Sequence, residues 1–280
     1  MTVTVPVNRY RAAGRVSILF LAFLVYGLGN NLRAEPVAVR HREGVSHGFL
    51  LLSSLEGKIL AAGDTFQAIK DEQVTSETVF HFKDGSVYDE TTVFSQDHTF
   101  RLLSDHLVQN GPSFPHAVDI LVEMPAKEVT IRATEKGKQK SATEHMDLPE
   151  DLSNGLTLTL LRNILPSTPE TTVSLLAMSS KPRVVKLSIR PRGERAFSVA
   201  GSRRKATDYD VKVEIGGIAG AVAPIVGKQP PDMHVWMSEG AIPTFVRWEG
   251  PLYEGGPIWR ADLSSLKVAD RDLNTGTAGK

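Results

Sequence analysis

The chain has 280 residues, with 32 basic and 32 acidic side chains, 41% hydrophobic residues and no cysteine. The formal net charge of zero excludes a whole-molecule field that would favour nucleic acid or an anionic membrane. The absence of cysteine excludes disulfides, thiolate metal ligands, a cysteine nucleophile and a lipid-modified cysteine.

Residues 1–34 have the pattern of an export signal, with a basic start, the apolar stretch 16–29 and a cleavage position after Ala34. The apolar stretch is shorter than the ~20 residues that cross a bilayer. We therefore expect a periplasmic mature protein with no stable membrane span. Leu32 is bulkier than the small residue preferred at the −3 position, so a retained anchor stays an open alternative.

Strand patterns dominate the mature chain from about residue 47 onward. Asp84-Gly85, flanked by β-branched and aromatic residues, predicts a hairpin with a two-residue type I′ turn. Alternation of apolar and polar residues predicts further strands at 128–134, 183–190 and 208–215. Three closing strands are predicted between Met233 and Leu263, separated by Gly and Pro turns.

The stretch 104–119, SDHLVQNGPSFPHAVD, brings Ser113, two histidines and two aspartates together. A catalytic triad needs a serine on a rigid element within reach of an imidazole, but Ser113 lies in NGPSFP without a nucleophile elbow. Asp105 and His106 point to opposite faces of a regular strand. We interpret the stretch as a turn and keep a hydrolase centred on Ser113 with His106 or His116 as the weaker alternative.

One helix interrupts the strands, between Pro149 and Ile164. Proline and carboxylates suit its first turn, and Leu156, Leu160 and Ile164 recur at helical spacing. The eight histidines show no helical pair or tight ligand spacing, so no metal site and no cofactor is predicted.

Two segments have alternative interpretations. The basic segment 181–205 is either an anion-binding surface or the solvated face of a strand followed by a basic turn. The three tryptophans are either part of a ligand groove or part of the core. They are Trp236, Trp248 and Trp259.

Strict alternation with a single helix predicts a mainly β (α+β) fold: a curved antiparallel sheet or incomplete β-barrel with the helix packed on its concave side. The predicted organisation is a signal peptide at 1–34, one domain at 35–265 and a flexible tail at 266–280.

Three stretches within residues 40–263 resemble an uncharacterised family of exported bacterial β proteins, itself distantly similar to the periplasmic lipoprotein carriers LolA and LolB. They are RLLSDHLVQNGPSFP, MDLPEDLSNGLTLTLLRNI and MHVWMSEGAIPTFVRWEGPLYEGGPIWR. The resemblance implies an incomplete antiparallel barrel with a helix over its open side. It implies neither lipoprotein transport nor any catalytic residue.

These observations favour a periplasmic, non-enzymatic binding protein for a lipid or other apolar ligand. The alternative is a structural or protein-interaction domain of the cell envelope that uses a sheet edge or the basic segment. Candidate groove residues are Leu156, Leu160, Ile164, Trp236 and Trp248. Candidate anion contacts are Arg203, Arg204 and Lys205.

Overall fold

The computed structural model describes residues 36–135, 138–178, 182–199, 202–214 and 230–264, which form one antiparallel sheet and one short helix. The predicted leader (1–34) and tail (266–280) lie outside these described residues. The strands are β1 (Ser46–Ser54), β2 (Ile59–Lys70), β3 (Gln73–Phe82), β4 (Val87–Gln96), β5 (Phe100–Asn110), β6 (Val118–Glu123), β7 (Glu128–Glu135), β8 (Lys138–His145), β9 (Thr171–Ala177), β10 (Arg183–Val199), β11 (Ser202–Glu214), β12 (Met233–Ser238), β13 (Phe245–Gly250) and β14 (Trp259–Ser264), and the helix is α1 (Thr157–Asn163).

The sheet consists of two meanders joined in its middle. The 14 strands follow the order β8 to β1 and then β14 to β9, so β1 pairs with β14. One core cluster nevertheless contains Val74 of β3, Tyr209 of β11 and Leu160 of α1. Because β3 and β11 are far apart in the strand order, the sheet must curl until its halves share a core. The predicted incomplete barrel with a helix on its concave side is confirmed.

The helix is shorter than the sequence predicted. The pattern predicted a first turn at Pro149, whereas α1 begins at Thr157. Gly155 has a φ of 65°, a left-handed conformation that an α-helix does not contain. The prediction was wrong because the residues before Gly155 pair with a strand instead of forming a helix.

Residues 151–154 cover the outer edge of β9. The backbone N–H of Ser153 donates to the carbonyl of Ser174 at 2.8 Å. The side chain of Asn154 then acts as a strand backbone would: its Nδ2 donates to the carbonyl of Leu176, and its Oδ1 accepts from the N–H of Leu176, both at 2.8 Å. Unpaired edge strands invite pairing with other chains, so this segment protects β9.

The chain that enters β1 crosses the end of α1. The backbone N–H groups of Arg40 and His41 donate to Asn163 Oδ1 at 2.8 and 2.7 Å. The carboxylate of Glu43 is buried and forms an ion pair with Arg162 of α1. Burial raises the pKa of Glu43, and the Arg162 guanidinium opposes that shift. The helix is therefore held between this segment and the sheet.

The turn between β3 and β4 differs from the predicted two-residue turn. The N–H of Phe82 donates to the carbonyl of Ser86, and the N–H of Gly85 donates to the carbonyl of Phe82. Gly85 has a φ of 87°, while Asp84 has no positive φ. This is a three-residue loop with glycine in the left-handed position, the next most common hairpin connection.

Replacing Gly155 with alanine should destabilise the fold strongly. A Cβ there would overlap Thr92 Oγ1 and lie 2.8 Å from Asp105 Oδ1, in addition to the left-handed φ. We expect a loss of more than ~3 kcal/mol in unfolding free energy, from backbone strain of ~1–2 kcal/mol plus overpacking. Urea denaturation followed by circular dichroism measures this.

Gly57→Ala is the matched control, because Gly57 also has a positive φ but no atom within 4 Å of the position that a methyl group would take. Its unfolding free energy should fall by only ~1–2 kcal/mol, the part that comes from backbone strain. Equal losses for both variants would show that Gly155 is not tightly packed.

Candidate functional site

A groove of about 1160 Å³ lies between the ends of β10 and β11 on one side and the ends of β13 and β14 on the other. Ligand clefts commonly measure ~300–1,000 Å³. The groove is therefore large enough for a lipid-sized molecule.

One wall of the groove is a two-stranded arm, defined as Gly193–Val199 of β10 and Ser202–Lys205 of β11, in which Ala196–Val199 pair with Ser202–Lys205. The pairing of β10 with β9 ends at Ile189, and the pairing of β11 with β12 begins at Ala206, so the arm extends beyond the sheet on both sides. A register shift follows Pro191, where the missing N–H of proline is tolerated. The sequence allowed a basic turn here, but the described residues are paired strands.

The arm presents cations to the groove. By strand alternation Arg203 and Lys205 share the face of Tyr209, a core residue, whereas Arg204 points to the opposite face. Lys205 Nζ donates to Glu194 at 2.5 Å, and this ion pair raises the pKa of Lys205 and lowers that of Glu194. Arg203 forms no ion pair within the described residues, so its guanidinium is available to an anion.

The opposite wall is apolar and comes from the ends of β13 and β14. Phe245, Val246 and Leu263 line the groove there. Phe245 also packs against both core clusters, and Leu263 is an exposed apolar side chain. The groove therefore joins an apolar wall to a basic wall, which suits a molecule with an apolar body and an anionic group.

The predicted residues separate into two places. Arg203, Arg204 and Lys205 all line the groove. The helix residues predicted as groove lining lie instead in the core cluster, each less than a tenth exposed. These are Leu156, Leu160 and Ile164.

The two predicted tryptophans lie on opposite faces of the sheet. Trp248 pairs with Val235 and packs against both core clusters. Trp236 stacks on His234 and lies under the Arg247 guanidinium at 5.4 Å, on the other face. They do not flank one site.

The stretch 104–119 continues β5 as far as Asn110 and then turns into β6. Ser113 Oγ donates to Asp84 Oδ2 at 2.7 Å, a contact between two turns that lowers the pKa of Asp84. His106 Nε2 lies 2.9 Å from Asp119 Oδ1, and Arg132 lies 3.1 Å from the same oxygen. The polar groups of this stretch thus serve separate structural contacts.

Asp105, which the sequence analysis considered only as part of the stretch 104–119, is a buried carboxyl group. It is 0% exposed on the concave side, where Oδ1 accepts from Thr92 Oγ1 at 2.7 Å and Oδ2 has no hydrogen-bond partner in the part of the chain that the structure describes. Burial, and then the neighbouring carboxyl of Glu90, raise the pKa of Asp105 well above its ordinary value. Glu90 accepts from the Tyr88 hydroxyl at 2.8 Å, and its pKa is raised by burial.

A one-residue irregularity explains why Asp105 faces inward. Phe94 pairs with Leu102 but Val93 pairs with Ser104, so Leu103 is an extra residue in β5. Beyond it the inward positions change from even to odd numbers, which turns Asp105 inward and His106 outward. An aspartate in a row of otherwise apolar, inward-facing residues is the sequence signal for a buried acid. This row can be identified only once the bulge is known.

Within the described ranges, no three His, Asp or Glu side chains come close enough to hold a metal ion. In the same part of the chain, no helix has both the length and the hydrophobicity needed to cross a bilayer.

No protein-family model matches the chain, and no curated protein matches it. The chain is similar to a crystal structure described as a beta-barrel-like protein of a domain of unknown function, DUF1849, from Brucella abortus. The TM-score is 0.42 and the sequence identity 11%, with 85% of this chain and 100% of that chain covered. The architecture described above rests on this chain's own strand pairing.

Replacing Asp105 with asparagine should change how stability depends on pH. Because its folded pKa is raised, Asp105 favours folding below its unfolded pKa of ~3.9 and loses that contribution as pH rises through the folded pKa. The amide stays neutral, so the stability of Asp105→Asn relative to wild type should increase as pH rises above the unfolded pKa of ~3.9 toward neutral pH. Urea titrations across this range measure the difference.

Asp71→Asn is the control, because Asp71 is an exposed turn residue with a left-handed φ that asparagine tolerates. It should follow the wild-type pH profile. An Asp105→Asn profile parallel to wild type at every pH would contradict a raised pKa.

Proposed function

We propose that this protein is a non-enzymatic binding protein that holds an amphipathic anion in the groove. The ligand would have an apolar chain and a carboxylate or phosphate head. The supporting observation is the pairing of the apolar wall, with Phe245 and Leu263, and the basic arm, with Arg203 and Lys205.

The two walls make separate energetic contributions. Burial of an alkyl chain against the apolar wall contributes ~0.8 kcal/mol for each methylene removed from water. Arg203 has a planar guanidinium that binds carboxylate or phosphate through two hydrogen bonds. Lys205 is already engaged by Glu194, so it contributes less to the head group.

The cellular location belongs to the same proposal. The basic start, apolar stretch 16–29 and Ala34 cleavage position are a pattern of export to the periplasm. In the periplasm, a carrier of this kind would encounter amphipathic ligands. The similarity to LolA and LolB stays a prediction of the sequence.

A binding role is preferred to the hydrolase alternative because of the contacts of Ser113. Its hydroxyl donates to the carboxylate of Asp84, and His106 is engaged by Asp119 and Arg132. A nucleophilic serine needs an imidazole as its base. Ser113→Ala should therefore leave any esterase turnover of the preparation unchanged.

A second candidate role is protein interaction through β8. This strand pairs with β7 and is an edge of the sheet, and its residues from Lys140 to His145 are exposed. Edge strands bind partners by adding a further strand.

Arg203→Gln should weaken the binding of anionic amphiphiles by about tenfold or more, because a charge-assisted hydrogen bond contributes ~1.5–3 kcal/mol. Displacement of a fluorescent fatty acid measures this with three competitors: oleate, a lysophosphatidate and oleyl alcohol. The binding of oleate and the binding of lysophosphatidate should both weaken. Whichever of the two binds the wild-type protein more tightly identifies the head group that the groove prefers. Oleyl alcohol should be unaffected.

Leu263→Asn should weaken the binding of all three competitors, because it places a polar side chain in the apolar wall that all three contact. Arg183→Gln is the charge-matched control, since Arg183 is exposed on β10 outside the groove. Failure of wild type to take up the probe, or equal effects of the Arg203 and Arg183 variants, would refute the proposal.

A further inference from the structure

Exposed apolar side chains collect at the end of the sheet where the groove opens. Large apolar residues are normally exposed singly on a soluble protein. Here β1, β2, β14 and the loop before β13 each contribute at least one. These residues are Val45, Phe49, Phe66, Ile69, Ile242 and Leu263.

The strand register places them at one end. Ser46 at the start of β1 pairs with Gln67 near the end of β2, and Phe49 pairs with Ser264 at the end of β14. The Ile242 loop joins the end of β12 to the start of β13, where the N–H of Ser238 donates to the carbonyl of Thr244. We call this end, from Val45 to the arm, the rim.

The basic arm belongs to the same rim. The N–H of Glu239, beside the Ile242 loop, donates to the carbonyl of Lys205. Arg203 and Arg204 form no ion pair within the described residues. The acids of the rim are partly compensated, because Glu194 is paired with Lys205 and Glu72 with Arg42 at 3.5 Å.

The apolar residues lie on both faces of the sheet. Leu263 lies on the concave face, in the row of Ala261. Phe49 and Phe66 lie on the convex face, where both contact the ring of His47. A flat protein surface reaches one face of a sheet, whereas a lipid layer that the rim enters contacts both. This arrangement favours a membrane over a protein partner.

We propose that the rim docks on the surface of an anionic lipid bilayer, with the exposed apolar side chains entering the interface and Arg203 and Arg204 facing lipid phosphates. Apolar residues combined with basic residues are the composition of interfacial membrane contacts. The inference goes beyond the proposed ligand, because docking does not require a loaded groove. It orients the groove mouth toward the layer that contains amphiphiles.

The absence of cysteine makes a direct test possible. Single cysteines are introduced by Ile242→Cys at the rim and by Leu55→Cys at the opposite end of β1, where Leu55 is 43% exposed and Ile242 is 55% exposed. Each is labelled with an environment-sensitive fluorophore in the full chain. Vesicles of phosphatidylcholine containing about one third phosphatidylglycerol are then added.

We expect a blue shift, and quenching by a lipid-borne quencher, for the label at 242 and neither for the label at 55. Both variants carry the same N-terminal segment, so the two labels are compared in chains that differ only in the position of the label. Equal responses at both labels, or a stronger response at 55, would overturn the proposal.

The charge contribution has its own measurement. Combining Arg203→Gln and Arg204→Gln should lower vesicle partitioning about fivefold for each charge, since a basic residue near an anionic surface contributes ~1 kcal/mol. Unchanged partitioning would contradict the proposed contact between these two arginines and lipid phosphates. Ligand uptake is measured without vesicles, so failure of docking and failure of the proposed function are distinguishable.

Discussion

The free edge of β9 is the constraint on which the rest of the structure depends. Its backbone groups need partners, and residues 151–154 provide them before α1 can begin. That pairing forces the chain to reverse at Gly155, directly over Thr92 and Asp105. The reversal directs α1 into the concavity, where its leucines fill the space that the two halves of the curled sheet leave between them. One local pairing thus sets the position of the helix, the closure of the core and the burial of an acid.

The groove has a different origin, in unequal strand lengths. β10 and β11 continue past their neighbours β9 and β12, so the groove separates the arm from the ends of β13 and β14. A bare apolar arm would be a site of aggregation, and the consecutive basic residues Arg203, Arg204 and Lys205 oppose such association. The apolar side chains that would have met it, Phe245 and Leu263, stay accessible instead. The groove therefore arises where the sheet fails to close.

Local patterns predicted most of the strands, the existence of one helix and the basic wall of the groove, because alternation, helical spacing and charge are written in adjacent residues. The remainder depended on distant contacts. The extra residue Leu103 decides whether Asp105 or His106 faces the core, and no local pattern marks it. The early part of the predicted helix pairs with β9 through Asn154, which competes successfully with its helical preference. Phe245 and Leu263 were missed as groove residues because only the sheet register brings them opposite the arm.

The junction between β1 and β14 has a consequence for how the protein folds. Each meander is built from neighbours in sequence, so either can form its hairpins early and quickly. The pairing of Phe49 with Ser264 joins the first and the last strand of the described chain, and it closes a very long loop. During vectorial synthesis, one edge of β1 must therefore stay unpaired until β14 emerges. This interval is when the chain is most exposed to misassembly, and a factor that shields the edge of β1 would act there.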